Sequence, residues 1–144
     1  MRVFSYNVNG IRAAISKGFL QWLETNSPDV ICLQEIKATQ DQIPVMEIEM
    51  LGYHHYWFPA KKKGYSGVAI LSKVEPDNVV FGMNKTEYDD EGRFLRADFG
   101  DISVVSVYHP SGTSGDERQD FKMEWLEFFR SYVNELRKER PQLI

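Results

Sequence analysis

An α/β domain with a mixed sheet is the fold class this sequence predicts, and three observations carry that expectation. Residues 28–37 read PDVICLQEIK, in which Val30, Ile31, Cys32 and Leu33 form a short apolar run suited to a fully buried strand. Residues 117–139 place Phe121, Trp125, Phe128, Phe129, Tyr132 and Leu136 on one broad apolar face at helical spacing. Between them, strand-like segments first alternate with helix-like ones and then follow one another directly, the order expected of a sheet that mixes pairing directions.

Taken in chain order, residues 2–9 alternate: Val3, Ser5, Asn7 and Asn9 share one face, with Phe4, Tyr6 and Val8 on the other, which is the period of a strand. Residues 16–26 place Phe19, Trp22 and Leu23 at helical spacing behind Ser16 as the candidate cap, and Pro28 follows the stop. Residues 29–35 form the second strand. A short helix around 42–50 precedes a strand from Tyr53 to Phe58. SGVAILS at 66–72, VVF at 79–81, FLRADF at 94–99 and ISVVSVYH at 102–109 all read as strands. After the long helix Pro141 marks a stop, and Gln142, Leu143 and Ile144 read as the first residues of another strand. A chain that ends as a strand begins is expected to be the N-terminal part of a longer protein, with residues 1–144 forming one incomplete domain.

A length of 144 residues allows one domain with a real core and is too short to expect two. The 42% hydrophobic and 26% charged fractions are those of a soluble globular protein. No apolar run approaches the roughly 20 residues of a membrane helix, and the N-terminal MRVFSYNVNG has no signal-peptide layout. Cys32 is the single cysteine, which excludes an intrachain disulfide and points to a reducing, intracellular compartment. Its place mid-strand predicts burial as a small hydrophobe. A net charge of −4 argues against loose nucleic-acid binding but leaves room for an enzyme that meets a polyanion through one basic patch.

Several groups of residues could carry chemistry. Ser5, Asn7 and Asn9 share a strand face and run into Gly10-Ile11-Arg12, which suits a site rim better than a plain polar surface. Glu35 ends a buried strand, where α/β sheets present reactive groups at a crevice. A lone carboxylate there suits Mg²⁺, which takes one or two carboxylates and completes its shell with waters and substrate phosphate oxygens. Lys37 projects to the same side if the strand stays extended. The loop Lys61-Lys62-Lys63-Gly64-Tyr65-Ser66-Gly67 reads either as a contact for a nucleic-acid backbone, with a ring laid against it, or as a solvated hairpin. Tyr108 closes an apolar strand, where a phenol could bind a phosphate oxygen. His109 has no carboxylate partner in view and reads as structural, as do His54 and His55. There is no G-x-S-x-G turn, P-loop or dinucleotide fingerprint.

YNVNGIRA at 6–13, LQEIK at 33–37, GYSGVAILS at 64–72, EGR at 91–93 and YHPSG at 108–112 occur in that order. Together they resemble the exonuclease III type of abasic-site endonuclease, within the endonuclease/exonuclease/phosphatase superfamily. The resemblance implies the N-terminal half of a four-layer α/β/β/α sandwich with mixed, largely antiparallel sheets. It implies Mg²⁺-dependent cleavage of the phosphodiester 5′ to an abasic site, with 3′→5′ trimming of DNA and Mn²⁺ as the alternative metal. The implied partner is double-stranded DNA with abasic sites or blocked 3′ ends, with no membrane and no stable protein partner, in a cytoplasmic, nucleoid-associated setting.

By position, the resemblance makes Glu35 the metal ligand, Asn7 the residue that holds catalytic-site carboxylates by hydrogen bonding, and Lys37 a support for Glu35. Tyr108 would contact the scissile phosphate. Asn9 stands where some relatives have Asp, and Arg12, Tyr65 and Arg93 would lie along the DNA-contacting edge. The family's later Gly-Asp-x-Asn and Ser-Asp-His motifs, the first of which helps to activate the attacking water, do not occur in the chain. The 144 residues alone are therefore expected to be inactive. Two rivals stand beside this reading: a phosphatase or lipid phosphodiesterase of the same superfamily, and a non-catalytic binding module.

Overall fold

The computed structural model describes residues 1–144 and contains eight strands and five helices. In order these are β1 (Val3–Asn7), α1 (Ile11–Ser16), α2 (Phe19–Asn26), β2 (Val30–Gln34), α3 (Val45–Met50), β3 (His54–Phe58) and β4 (Val68–Ser72). There follow β5 (Asn78–Phe81), α4 (Thr86–Asp89), β6 (Phe94–Phe99), β7 (Ile102–Val107), α5 (Asp116–Glu139) and β8 (Gln142–Leu143). A 3₁₀ turn at Gln40–Gln42 opens the segment expected as one helix around 42–50, with a capping box between Thr39 and Gln42. No helix is long and apolar enough to cross a membrane.

The strands form two four-stranded sheets, ordered β1-β2-β4-β3 and β5-β6-β7-β8. Each has one parallel pair, β1 with β2 and β7 with β8, and is otherwise antiparallel. Alternation along each strand sorts its side chains into layers. Ile31 and Leu33 of β2 and Ala69 and Leu71 of β4 pack with Ile11, Phe19, Leu23 and Ile48 from the covering helices. Their neighbours Val30, Cys32, Val68 and Ile70 face Leu95, Ala97 and Val104 of the other sheet. Beyond that sheet, Phe94 packs with Trp125 and Leu136 of α5. The result is four layers, helix, sheet, sheet, helix, and it explains why β2 and β4 are continuous apolar runs: both of their faces are covered.

The structure departs from the sequence pattern at one added helix and two residues. Helix α1 was not anticipated, because six residues after Gly10 are too few to show a period. Ser16 does not cap the next helix; its hydroxyl donates back to the Ala13 carbonyl, and α2 starts behind Gly18, whose left-handed backbone turns the chain. The first strand stops at Asn7, and Asn9 has a positive φ of 45°, so it leaves the strand face on which alternation put it.

α5 follows its sequence pattern closely. Asp116 and Glu117 occupy its first turn and Arg137 and Lys138 its last, complementing the helix dipole at both ends. Trp125 is fully buried, stacked on Phe129 at 4.9 Å between centroids, and Phe94 meets Tyr132 edge-on at 5.2 Å. The far end of α5 is tied to the β6–β7 turn by charge. Arg140 donates to Ser103 Oγ at 2.7 Å, and Ser103 donates to the Asp98 carboxylate at 2.6 Å. Burial pushes the Asp98 carboxyl up, but hydrogen bonds from Ser103, Arg96 and Asn78 and the Arg96 charge outweigh it, leaving the group below its ordinary 3.8.

At the other end of the molecule β1 is an edge strand, and beside it Tyr6 is 42% and Trp22 38% exposed. Trp22 packs among Phe4, Tyr6 and Phe19 at centroid distances of 5.9–6.0 Å. Trp57 of β3, by contrast, is buried and donates its indole N–H to His55 Nδ1 at 2.8 Å.

Two measurements test the packing. Trp125→Ala is expected to lower unfolding free energy by about 3–5 kcal/mol, the cost of emptying a large aromatic site, measured by chemical denaturation. Because the folded Asp98 pKa is depressed, its stabilisation is complete above the unfolded value of 3.8 and is lost as pH falls through the lower folded value. Asp98→Asn is therefore expected to be less stable than the parent protein at pH 7, with the gap closing below about pH 4 in the same measurement.

Candidate active site

Parallel pairing of β1 and β2 brings their C-terminal ends together, with Asn7 beside Gln34 in register. Two hydrogen bonds then lash this sheet to the next: Ser106 Oγ donates to the Leu33 carbonyl at 2.9 Å, and Gln34 Nε2 donates to Ser106 Oγ at 3.2 Å. They carry the end of β7, and Tyr108 just beyond it, to the mouth where β1 and β2 finish. Residues 7, 35 and 108, distant in sequence, meet at one end of the sandwich for this reason.

The rim is built from left-handed backbone. Glu35 and Lys37 have φ of 53° and 52°, Ser66 has 50°, and Gly67, at the start of the facing strand, has 88°. Non-glycine residues in this region each cost on the order of 1 kcal/mol or more, and hydrogen bonds hold them there. Gly10 N donates to the Glu35 carbonyl at 2.7 Å, Ile36 N to Gly67 O at 3.1 Å and Lys37 N to Ser66 O at 2.9 Å. A side chain at Gly67 would come within 2.6 Å of Ile36 Cγ1, so the approach of the two segments also requires glycine. Lys37 was expected to reach the side of Glu35 along an extended strand. It does reach it, but through two left-handed turns.

The polar groups interlock. Asn7 Nδ2 donates to Glu35 Oε1 at 3.0 Å, while Asn7 Oδ1 accepts the Asn9 N–H at 3.0 Å, which orients the amide. Lys37 Nζ bridges Asn9 Oδ1 at 2.7 Å and Glu35 Oε2 at 3.4 Å. Partial burial raises the Glu35 carboxyl, but hydrogen bonds from Asn7 and Tyr108 and the Lys37 charge prevail and hold it below the usual carboxylate range. Burial, reinforced by the Glu35 carboxylate, pushes the Tyr108 phenol up to about 12. At neutral pH the pair is thus an anionic carboxylate and a neutral phenol able to donate.

Glu35 supplies hard anionic oxygens at a partly open position, its side chain 21% exposed. No group of three or more His, Cys, Asp or Glu residues gathers anywhere in the chain. The donor set therefore fits a hard divalent cation as one carboxylate contribution to a site completed by waters and substrate oxygens, and does not fit a cage made by this chain alone.

Around this centre the other expected residues divide. Arg12 is exposed and lines a groove with Thr39, Lys62, Lys63 and Tyr65. Lys62 Nζ lies 5.2 Å from the centre of the Tyr65 ring. Arg93 does not lie on that edge: it is only 2% exposed, beneath Tyr65 and Tyr108. Its guanidinium donates to the Tyr108 carbonyl at 3.0 Å, the Tyr65 hydroxyl at 2.8 Å and Glu91 at 3.2 Å, so it has no face free for DNA. His109 packs edge-on against Trp125 at 4.8 Å and Phe129 at 5.3 Å, and burial lowers its pKa. Cys32 is buried between the sheets, where desolvation raises its thiol to about 12 and leaves it unreactive.

Sequence reasoning missed Glu91, Arg118, Gln34 and Ser106. Glu91 stands in the EGR segment and could have been weighed; Arg118 and Ser106 lie on ordinary helix and strand positions that give no local signal.

The chain matches the Endonuclease/Exonuclease/phosphatase family over residues 4–144. It is 41% identical to an exodeoxyribonuclease of Bacillus subtilis, over all of this chain and 56% of that protein. It is 40% identical to the DNA repair nuclease APEX1 of Danio rerio, over all of this chain and 47% of that protein. Among solved structures, it superposes on a 3′ phosphatase from Neisseria bound to a product DNA hairpin with a TM-score of 0.88 and 28% identity, covering 99% of this chain and 55% of that one. An AP endonuclease from Archaeoglobus fulgidus gives a TM-score of 0.80 at 36% identity, over 92% of this chain and 50% of that one. The chain spans about half the length of the relatives it matches. With the family match running almost from end to end and the four-layer packing in agreement, the chain belongs to the endonuclease/exonuclease/phosphatase family.

Proposed function

We propose that these residues form the substrate-gripping half of a DNA-repair nuclease that uses Mg²⁺ to hydrolyse the phosphodiester 5′ to an abasic site and also trims 3′ ends. The observation that carries the reading is the Glu35 carboxylate, kept ionised by Asn7, Lys37 and Tyr108 at the shared end of β1, β2 and β7. The names of the relatives, exodeoxyribonuclease and DNA repair nuclease among them, support it. A neighbouring structure holding a product DNA hairpin supports duplex DNA with modified 3′ ends as partner. The same reading puts the protein in the cytoplasm with the nucleoid.

In this reading Glu35 holds the metal, and Mn²⁺ can stand in for Mg²⁺. When bound, the cation supplies Lewis-acid polarisation of a phosphate oxygen. Asn7 fixes the rotamer of Glu35, and Lys37 and Asn9 fix its second oxygen. Tyr108 stays protonated at neutral pH, and its single O–H, which points to Glu35 in the free site, would turn to a phosphate oxygen when substrate enters, adding charge stabilisation where negative charge grows. Arg12 and the Lys61–Lys63 loop, with the Tyr65 ring, meet the DNA backbone along the groove. In this reading the group that takes the proton from the attacking water is not among these residues, and the 144-residue chain alone is inactive.

Two measurements test the proposal. Glu35→Gln in the protein that carries this chain is expected to reduce Mg²⁺-dependent nicking of abasic-site duplex by about a hundredfold or more while leaving the circular-dichroism spectrum intact. Activity like that of the parent protein would remove Glu35 from the site, and cleavage of soluble phosphomonoesters in preference to abasic DNA would favour a phosphatase. The 144-residue chain itself is expected to give no nicking above the metal-only background; turnover near that of an intact relative would overturn that part.

A further inference from the structure

Two guanidiniums converge on one carboxylate outside the centre described above. Arg93 Nε donates to Glu91 Oε2 at 3.2 Å, and Arg118 Nη2 donates to Glu91 Oε1 at 3.0 Å. The Tyr65 hydroxyl joins them, donating to Glu91 Oε1 at 3.2 Å and accepting from Arg93 and Arg118 at 2.8 and 3.1 Å. We propose that Glu91 is a positioning residue, whose carboxylate aligns Arg93 and Arg118 and through them sets Tyr108 and Tyr65 against the candidate active site. The proposal rests on the nuclease reading for its effect on rate, though not for its effect on the two tyrosines.

Arg93 is the buried cation of this cluster. A buried guanidinium without a counter-charge is strongly destabilised, and Glu91 is the only carboxylate within 4.0 Å of it. The remaining donors of Arg93 hold the Tyr108 carbonyl and the Tyr65 hydroxyl, and its Cζ lies 5.2 Å from the Tyr108 ring centre. Tyr108 therefore owes its place to a cation that owes its own place to Glu91. Glu91 is itself fixed by backbone. Its N–H donates to the Tyr88 carbonyl at 3.0 Å at the end of α4. The next residue, Gly92, turns left-handed so close to the segment after β3 that an added Cβ would come within 2.7 Å of Pro59 C. The Glu91-Gly92-Arg93 stretch is thus clamped between the two sheets. The cluster holds one carboxylate for two guanidiniums, so removing its negative charge leaves two cations facing each other with no anion in contact.

Glu91→Gln keeps the shape and removes the charge. In protein labelled at tyrosine ¹³Cζ, this change is expected to move the Tyr65 and Tyr108 resonances while those of Tyr53 and Tyr132 stay in place. On abasic-site duplex with Mg²⁺ it is expected to lower kcat ten- to a hundredfold with KM changed less than about threefold, the pattern of a residue acting through an orienting shell. Glu91→Asp, which retains the charge, is expected to recover part of kcat. If Glu91→Gln does not fold, Glu91→Asp replaces it, with smaller shifts at Tyr65 and Tyr108 expected from its shorter arm and Tyr53 and Tyr132 again unmoved. Unmoved Tyr65 and Tyr108 resonances overturn the proposal, as does a raised KM with unchanged kcat, which would make Glu91 a DNA-binding group. If the parent protein fails to cleave abasic DNA at all, the nuclease reading falls and the tyrosine resonances alone decide the role of Glu91.

Discussion

The packing of one sheet on the other is the constraint from which the rest of the molecule follows. Val30, Cys32, Val68 and Ile70 on one side and Leu95, Ala97 and Val104 on the other exclude water from the space between the sheets. That burial is non-directional and cannot by itself decide which strand end meets which. Direction comes from the Ser106 hydroxyl, which bonds both the Leu33 carbonyl and the Gln34 amide across the gap. A polar group buried there costs free energy unless paired, so these two bonds select the one offset of the sheets that satisfies it. That offset is also the one that brings Tyr108 to Glu35.

The electrostatics at the mouth divide the labour between two acids. Glu35 keeps its charge because donors surround it; Tyr108 keeps its proton because it is buried and, second, because the Glu35 charge lies beside it. With one shift downward and the other upward, the pair does not change protonation across the neutral range. Arg93 plays a third part from underneath. It is a buried cation that never reaches solvent and shapes the site by holding the main chain and ring of Tyr108.

Much of this was legible in the sequence, for reasons that differ between elements. β2 and β4 were legible because strands covered on both faces must be apolar throughout, and α5 because 24 residues give its stripe room to repeat. β8 was legible from three residues only because Pro141 punctuates the chain before it. α1 was not, being too short to show a period. Glu35 and Lys37 were identified as neighbours, yet their route to one another was not, since left-handed backbone at Glu and Lys leaves no compositional trace of the kind glycine does. The burial of Arg93 was invisible for a deeper reason. An arginine after a turn reads as surface until its counter-charge and its two ring partners are known, and those come from residues 65, 91 and 108, which only the tertiary fold assembles.

The three tryptophans fall in three different places: Trp22 half-open at the β1 edge, Trp57 buried in its sheet beside an imidazole, and Trp125 sealed on the inner face of α5 and stacked on Phe129. The molecule therefore carries three optical reporters with distinct surroundings. Trp22, the one nearest water, should emit at the longest wavelength and be the most open to a dissolved quencher. A polypeptide that covered the β1 edge would shift its emission to the blue and shield it while leaving Trp125 dark to the change. Loosening of α5 would do the reverse. Intrinsic fluorescence can thus tell apart events at opposite ends of the sandwich without a label.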